Sequence, residues 1–160
     1  MQPRMLKYSL GPREITELLE KGEVGHLATI GVDGPYVIPV NYVFMEGKIY
    51  LHGRKAGGEK LDNIRSDDRV CFEVFKCDGY LVSDTACKTE TIFISAIGRG
   101  KARILDGETA KKQAALLKFA SKYAPHLTDP VIPDDKATLT AVIELTIDSW
   151  TGKRSKAGPN

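Results

Sequence analysis

The most regular pattern in the chain lies near its end, where Leu139, Ala141, Ile143, Leu145 and Ile147 alternate with mostly polar residues. This predicts a strand over 139–147 with one wet face. A second alternation runs through 36–44. Val37, Pro39, Asn41 and Val43 share one face, and Ile38, Val40, Tyr42 and Phe44 share the other. Both faces are mainly apolar, which predicts a central strand with partners on each side. Glu46-Gly47 turns the chain into a strand over 48–52, and Asp33-Gly34 is a hairpin signal after a strand over 24–31. The three strands read as a meander.

Helical spacing appears in three places. Pro12 opens a helix in which Ile15, Leu18 and Leu19 share a face before Gly22 stops it. Residues 59–65 place Leu61 and Ile64 three apart, enough for one or two turns. The longest helix is expected over 107–123, with Ala110, Ala114, Leu117 and Ala120 along one stripe, Leu116, Phe119 and Tyr123 beside it, and Pro125 ending it. Residues 69–76, with Val70, Phe72 and Val74 facing one way, give a further strand. So do residues 91–104, where Gly98 and Gly100 mark a bulge or bend. Between these two strands, 77–90 reads as a long connection with some extended structure around 80–82. Residues 1–11 are expected to form an N-terminal arm, 125–133 a loop, and 151–160 a polar C-terminal tail.

Strands that do not alternate with helices exclude a doubly wound parallel sheet. The expected class is mainly β: a small β-barrel of antiparallel strands with two main helices at its periphery, its glycine bends helping the sheet to curl. At 160 residues, 42% hydrophobic and 28% charged, the chain fits one domain over 1–160 with a real core. A net charge of +2, with acids and bases interleaved, leaves no basic face for nucleic acid. Lys153, Arg154 and Lys156 read as a frayed terminus. Cys71, Cys77 and Cys87 contain no CxxC pair and are odd in number, which suits reduced thiols. No apolar run approaches the roughly 18 residues of a membrane helix, and the first residues lack a signal-peptide core. The expected location is cytoplasmic, away from the membrane.

The candidate chemistry lies in 53–60, where Gly53, Gly57 and Gly58 are interspersed with Arg54, Lys55 and Lys60 just before a helix start. Glycines, fixed cations and helix-start amides can seat a phosphate, and the same composition also suits a solvated turn. Gly53 and Gly58 have the separation of a Walker A loop. Glu59 stands where its lysine belongs, and no Ser or Thr follows Lys60, so a nucleotide triphosphatase is excluded. His52, at a strand end beside this loop, is either an anion donor or an ordinary strand-end residue. His26, at the start of a strand, reads as structural and His126 as exposed; none of the three has a metal-like partner at i+2 to i+4. No GxSxG elbow or activated nucleophile appears, and Asp67-Asp68 and Asp134-Asp135 read as loop charges. A chain without chemistry of its own is a binding module, or an enzyme whose cofactor carries the reaction.

Taken in order, several segments resemble the pyridoxamine 5′-phosphate oxidase-like, FMN-binding split-barrel superfamily, and within it the nitroimidazole-resistance (Nim) group. They are Leu27-Ala28-Thr29, the run from Pro35 to Val43, Gly47 to Gly53, Lys60 to Ile64, Val70 to Val74, Ser95 to Ala102, and Thr151-Gly152-Lys153. The resemblance implies a homodimer of split barrels with FMN in clefts between the subunits. The strand from Val37 through Pro39 to Tyr42 would run along the isoalloxazine, with backbone groups near Val40 and Asn41 at its polar edge. His52, Gly53 and Lys60 would hold the phosphate. Ser95 would face the flavin, and Trp150 would close the cleft from the partner chain.

The implied activity is an FMN-dependent oxidoreductase taking electrons from a reduced nicotinamide or similar small-molecule donor and delivering them to a small acceptor such as a nitroaromatic. The alternative is a protein that holds FMN or haem without turnover. Two departures stand out. Gly58-Glu59-Lys60 replaces the Gly-His-Lys common in the Nim group, which opens a third reading, a barrel that has lost its ligand. The C-terminal signature of true pyridoxamine phosphate oxidases is missing, which argues against vitamin B6 oxidation.

Overall fold

The computed structural model describes residues 3–155. A 3₁₀ turn at Pro3–Tyr8 leads to helix α1 (Pro12–Lys21). Then come strands β1 (Val24–Gly31), β2 (Gly34–Asn41), β3 (Val43–Met45) and β4 (Lys48–Arg54), helix α2 (Glu59–Ser66), strands β5 (Arg69–Leu81) and β6 (Glu90–Ile104), helices α3 (Thr109–Tyr123) and α4 (Asp134–Leu139), and strand β7 (Thr140–Arg154). Helix α1 starts where expected because Pro12 has no amide to satisfy, while the Gly11 amide donates to Glu14 Oε2 at 2.8 Å.

All strands pair antiparallel in one sheet of order β2-β1-β5-β6-β7-β4-β3. The two edge strands, β2 and β3, follow one another in the chain with only Tyr42 between them, so the sheet rolls until its ends meet. This corrects the expectation of a central strand over 36–44. The segment breaks at Tyr42, and β2 is an edge strand bonded only to β1. Its two apolar faces mislead because one of them, carrying Val37 at 59% exposure, is left uncovered by the described residues. Tyr42 itself is fully buried, its hydroxyl donating to Leu19 O at 2.8 Å and its ring edge-on to Phe72.

The barrel encloses one core, built on Leu19, Leu27, Tyr42, Leu51, Phe72, Ile143 and Leu145. A second core lies under α3 and α4, where Ala115, Leu116, Phe119 and Ala137 cover Val43, Tyr50 and Val142. The second core overturns the wet face expected of 139–147. Residues 141–145 are all buried, including Glu144, because α3 covers the outer face of the strand. The stripe expected on α3 is rotated accordingly. Ala115, Leu116 and Phe119 face inward, while Ala110, Ala114 and Leu117 are exposed. Asp134 and Asp135 open α4 rather than sitting in a loop.

The β5–β6 ribbon is longer than expected. It continues to Leu81 and resumes at Glu90, shortening the 77–90 connection. The Gly98–Gly100 bend is present as a slip between Arg99 and Gly100, where a Cβ on Gly100 would strike the Thr146 carbonyl. The N-terminal arm is docked, since Ser9 bridges Lys153 and the Leu10 amide donates to Gly152 O at 3.0 Å. The tail is strand through Arg154, so Lys153 and Arg154 do not fray; Lys156 lies outside the described residues. No described helix is long and apolar enough to cross a membrane, and no described group of His, Cys, Asp or Glu is arranged for a metal ion.

Candidate functional site

A cleft of about 730 Å³ opens where the two ends of the sheet meet. One wall is β2, through Ile38, Pro39, Val40 and Asn41; the other is α3, through Leu116, Phe119, Ala120 and Tyr123. His52 and Lys60 occupy one part of the lining, and the start of α4, through Pro133 and Lys136, contributes another. On its side away from β1, β2 carries a row of backbone groups without strand partners. Pro39 is tolerated here because an edge strand can spare an amide.

The cationic part is built locally. Gly57 and Gly58 adopt φ of 118° and 131°, which side chains rarely allow, and Gly58 caps α2. The amides of Glu59 and Lys60 have no intrahelical acceptor, while that of Leu61 already donates to Gly58 O at 2.8 Å. Lys60 Nζ hydrogen-bonds only to the His52 carbonyl, at 3.5 Å, and no carboxylate pairs with it among the described residues. A Cβ on Gly53 would stand 3.4 Å from this nitrogen, so the glycine leaves the ammonium room. Burial pushes the Lys60 pKa down. His52 is also pushed down, first by burial and then by Lys60, and its ring meets Phe119 edge-on at 4.4 Å. A desolvated ammonium, an imidazole whose protonated form is disfavoured, and free amides at one place form a site short of negative charge.

The cleft thus brings together Pro39, Val40, Asn41, His52 and Lys60, with Gly53 beside Lys60. Val37, Ser95 and Trp150 do not line it. Val37 is on the uncovered face of β2. Ser95 is 4% exposed on β6, and Trp150 lies on β7 against Gly98. Glu59 is exposed and does not line the cleft, so the residue that departs from the Nim pattern stays out of it. Phe119 and Tyr123 were legible only as core positions of α3. Two other clefts, of about 740 and 560 Å³, show that volume does not single out this one. Its chemistry does: a half-buried cation without a carboxylate, a helix start, a free strand edge and an aromatic wall.

A rolled antiparallel sheet, with consecutive edge strands and a cleft at their junction, is a split β-barrel. The chain belongs to the pyridoxamine 5′-phosphate oxidase family, whose profile matches residues 12–154. Solved structures of the same fold include a candidate 5-nitroimidazole antibiotic resistance protein from Bacteroides thetaiotaomicron. It is 22% identical, with 91% of this chain and 85% of that one covered, at a TM-score of 0.75. The flavocytochrome Anf3 from Azotobacter vinelandii is 20% identical, covering 100% and 74%, at a TM-score of 0.81. An FAD and heme binding protein from Mycobacterium smegmatis is 18% identical, covering 96% and 76%, at 0.79. No curated protein matches the chain.

Proposed function

We propose that the chain is an FMN-binding oxidoreductase that moves electrons from a reduced nicotinamide or similar donor to a small acceptor such as a nitroaromatic. The observation that carries this reading is Lys60, a half-buried ammonium with no carboxylate partner among the described residues, beside a glycine-flanked helix start. A phosphate dianion supplies the missing charge, and the residues present fit it. Lys60, the first amides of α2 and a protonated His52 would hold that phosphate. The free edge of β2 at Val40 and Asn41 would offer backbone groups to the polar edge of the ring, while Phe119 and the face of β2 exclude water. Bound FMN supplies two-electron transfer, and no side chain of the chain is assigned that chemistry.

The reading includes a homodimer. Trp150 does not line the cleft of its own chain, and in the dimer it would serve the cleft of the second copy; Ser95, buried within its own subunit, is assigned to neither. The uncovered face of β2 is the apolar surface a second copy would meet. Support for a flavin comes from family membership and from the flavocytochrome and FAD-binding proteins that share the fold. Holding FMN or haem without turnover is the second reading, favoured by the mycobacterial FAD and heme binding protein that shares the fold.

The test is the visible spectrum and melting temperature of the purified protein with and without FMN. Flavin absorbance and a rise in melting temperature are expected. An unchanged melting temperature with no bound flavin overturns the proposal. If flavin binds, reoxidation of the reduced complex by a nitroaromatic no faster than that of free FMN leaves the carrier reading standing.

A further inference from the structure

At Tyr42 the β2–β1 ladder has ended, its last pair being Val24 with Asn41, and the chain turns into β3. The polar groups left over at this corner are taken by the last turn of α3, from about eighty residues further along. The Tyr42 amide donates to the Tyr123 hydroxyl at 3.0 Å. That hydroxyl has one proton to donate, and two carbonyls lie in reach, Glu23 at 2.6 Å and Tyr42 at 2.7 Å. Lys122 Nζ donates to Gly22 O at 2.6 Å and to Tyr42 O at 2.9 Å, and sits 4.1 Å over the Tyr42 ring. One helix end therefore ties the α1–β1 turn to the β2–β3 corner.

The same tyrosine connects the corner to the cationic part of the cleft. Its ring stacks on Phe119 at 5.9 Å, and Phe119 meets the His52 ring at 4.4 Å. The Asn41 side chain also approaches the Tyr123 hydroxyl. Packing alone would be served by phenylalanine and methionine. The polar tips of Lys122 and Tyr123 are spent on backbone groups of the corner, and Tyr123 lines the cleft.

We propose that Tyr123 and Lys122 are positioning residues. They set the course of the strand edge at Val40–Tyr42 and thereby the shape of the cofactor cleft. The part concerning cofactor rests on the FMN reading above; the part concerning the corner does not.

The experiment has two arms, using the full chain with Tyr123→Phe and Lys122→Met. Leu10→Ala, which weakens the docked N-terminal segment, serves as a control for general destabilisation. Without cofactor, amide hydrogen exchange is followed peptide by peptide. Exchange over 40–43 is expected to accelerate about tenfold in both corner variants, with the centre of β6 unchanged. With FMN, the dissociation constant is expected to rise about tenfold in both variants and to stay near wild type in Leu10→Ala. Unchanged exchange at 40–43 overturns the corner assignment. Accelerated exchange with unchanged FMN affinity, or an equal affinity loss in Leu10→Ala, overturns the positioning role. If wild type binds no FMN, the proposed function fails, and the exchange arm alone decides whether the corner is held in this way.

Discussion

Lys111 on α3 and Glu144 on β7 are joined at 2.7 Å, across the surface where helix covers sheet. Glu144 also accepts from Arg103 at 2.8 Å, Lys48 at 3.0 Å and the Tyr50 hydroxyl at 2.9 Å, with only 1% of its side chain exposed. The cluster pins the first turn of α3, the helix whose later turns wall the cleft.

Burial pushes the Glu144 pKa up, but the hydrogen bonds from Lys111, Arg103, Lys48 and Tyr50 outweigh it and hold it well below the usual carboxylate range. A carboxylate with a depressed folded value stabilises above its unfolded value, near 4.5, and loses that contribution as the pH falls below it. Glu144→Gln should therefore lower stability at pH 7 by about 2 to 3 kcal/mol, since it takes the carboxylate from Lys48 and leaves Arg103 and Lys111 only Glu108. Denaturant melts of both proteins at pH 7 and pH 3 should show this gap narrowing in acid. A constant gap would mean that shape, rather than charge, holds the cluster.

Lys60→Met should weaken FMN about ten- to hundredfold, the loss of one charge-assisted hydrogen bond to phosphate. Because His52 is held down by burial and by Lys60, a dianion placed beside it draws a proton on. FMN binding should then take up protons and weaken as pH rises through the histidine range. Calorimetry in buffers of different ionisation enthalpy measures the uptake, and His52→Asn should abolish it.

Lys122 is pushed down to about 8 by burial and by Lys118, against the pull of Glu23, with the Tyr42 and Tyr123 rings as its other neighbours. A lysine with a depressed folded value binds fewer protons folded than unfolded between about 8 and its ordinary 10.5, so its contribution to stability rises with pH across that window. Relative to Lys122→Met, wild type should gain melting temperature between pH 8 and pH 10. A parallel pair of curves would contradict the burial.

Trp150 is the only tryptophan, and its ring crosses Gly98 so closely that a Cβ there would lie 2.8 Å from Cζ3. Gly98→Ala should displace the ring, shift its fluorescence and cost about 1 to 3 kcal/mol by overpacking. Emission and melting temperature that both match wild type would show that the site yields freely.

Much of the barrel was legible because strands and helices write their period into the chain. The alternation of Val70, Phe72 and Val74, the face Ile15, Leu18 and Leu19, and the Gly98–Gly100 bend all fell in their places. In the cleft, the glycine loop and Lys60 were legible for the same local reason. Phe119, Lys122 and Tyr123 were not, because their importance comes from what lies opposite them. Even the alternating 139–147 strand misled, since nothing local says that α3 covers its Glu144 side.

The sequence by itself determined most of the elements and their order, a curled antiparallel sheet and a cationic turn before α2, each resting on a few neighbouring residues; α4 and the break at Tyr42 were not among them. Only the tertiary structure decided that β2 is an edge, that its free side forms a cleft with α3, and that Lys60 there lacks a carboxylate. Those outcomes depend on pairings between residues up to a hundred positions apart. A period of two or of 3.6 states which way a side chain points, and not what meets it.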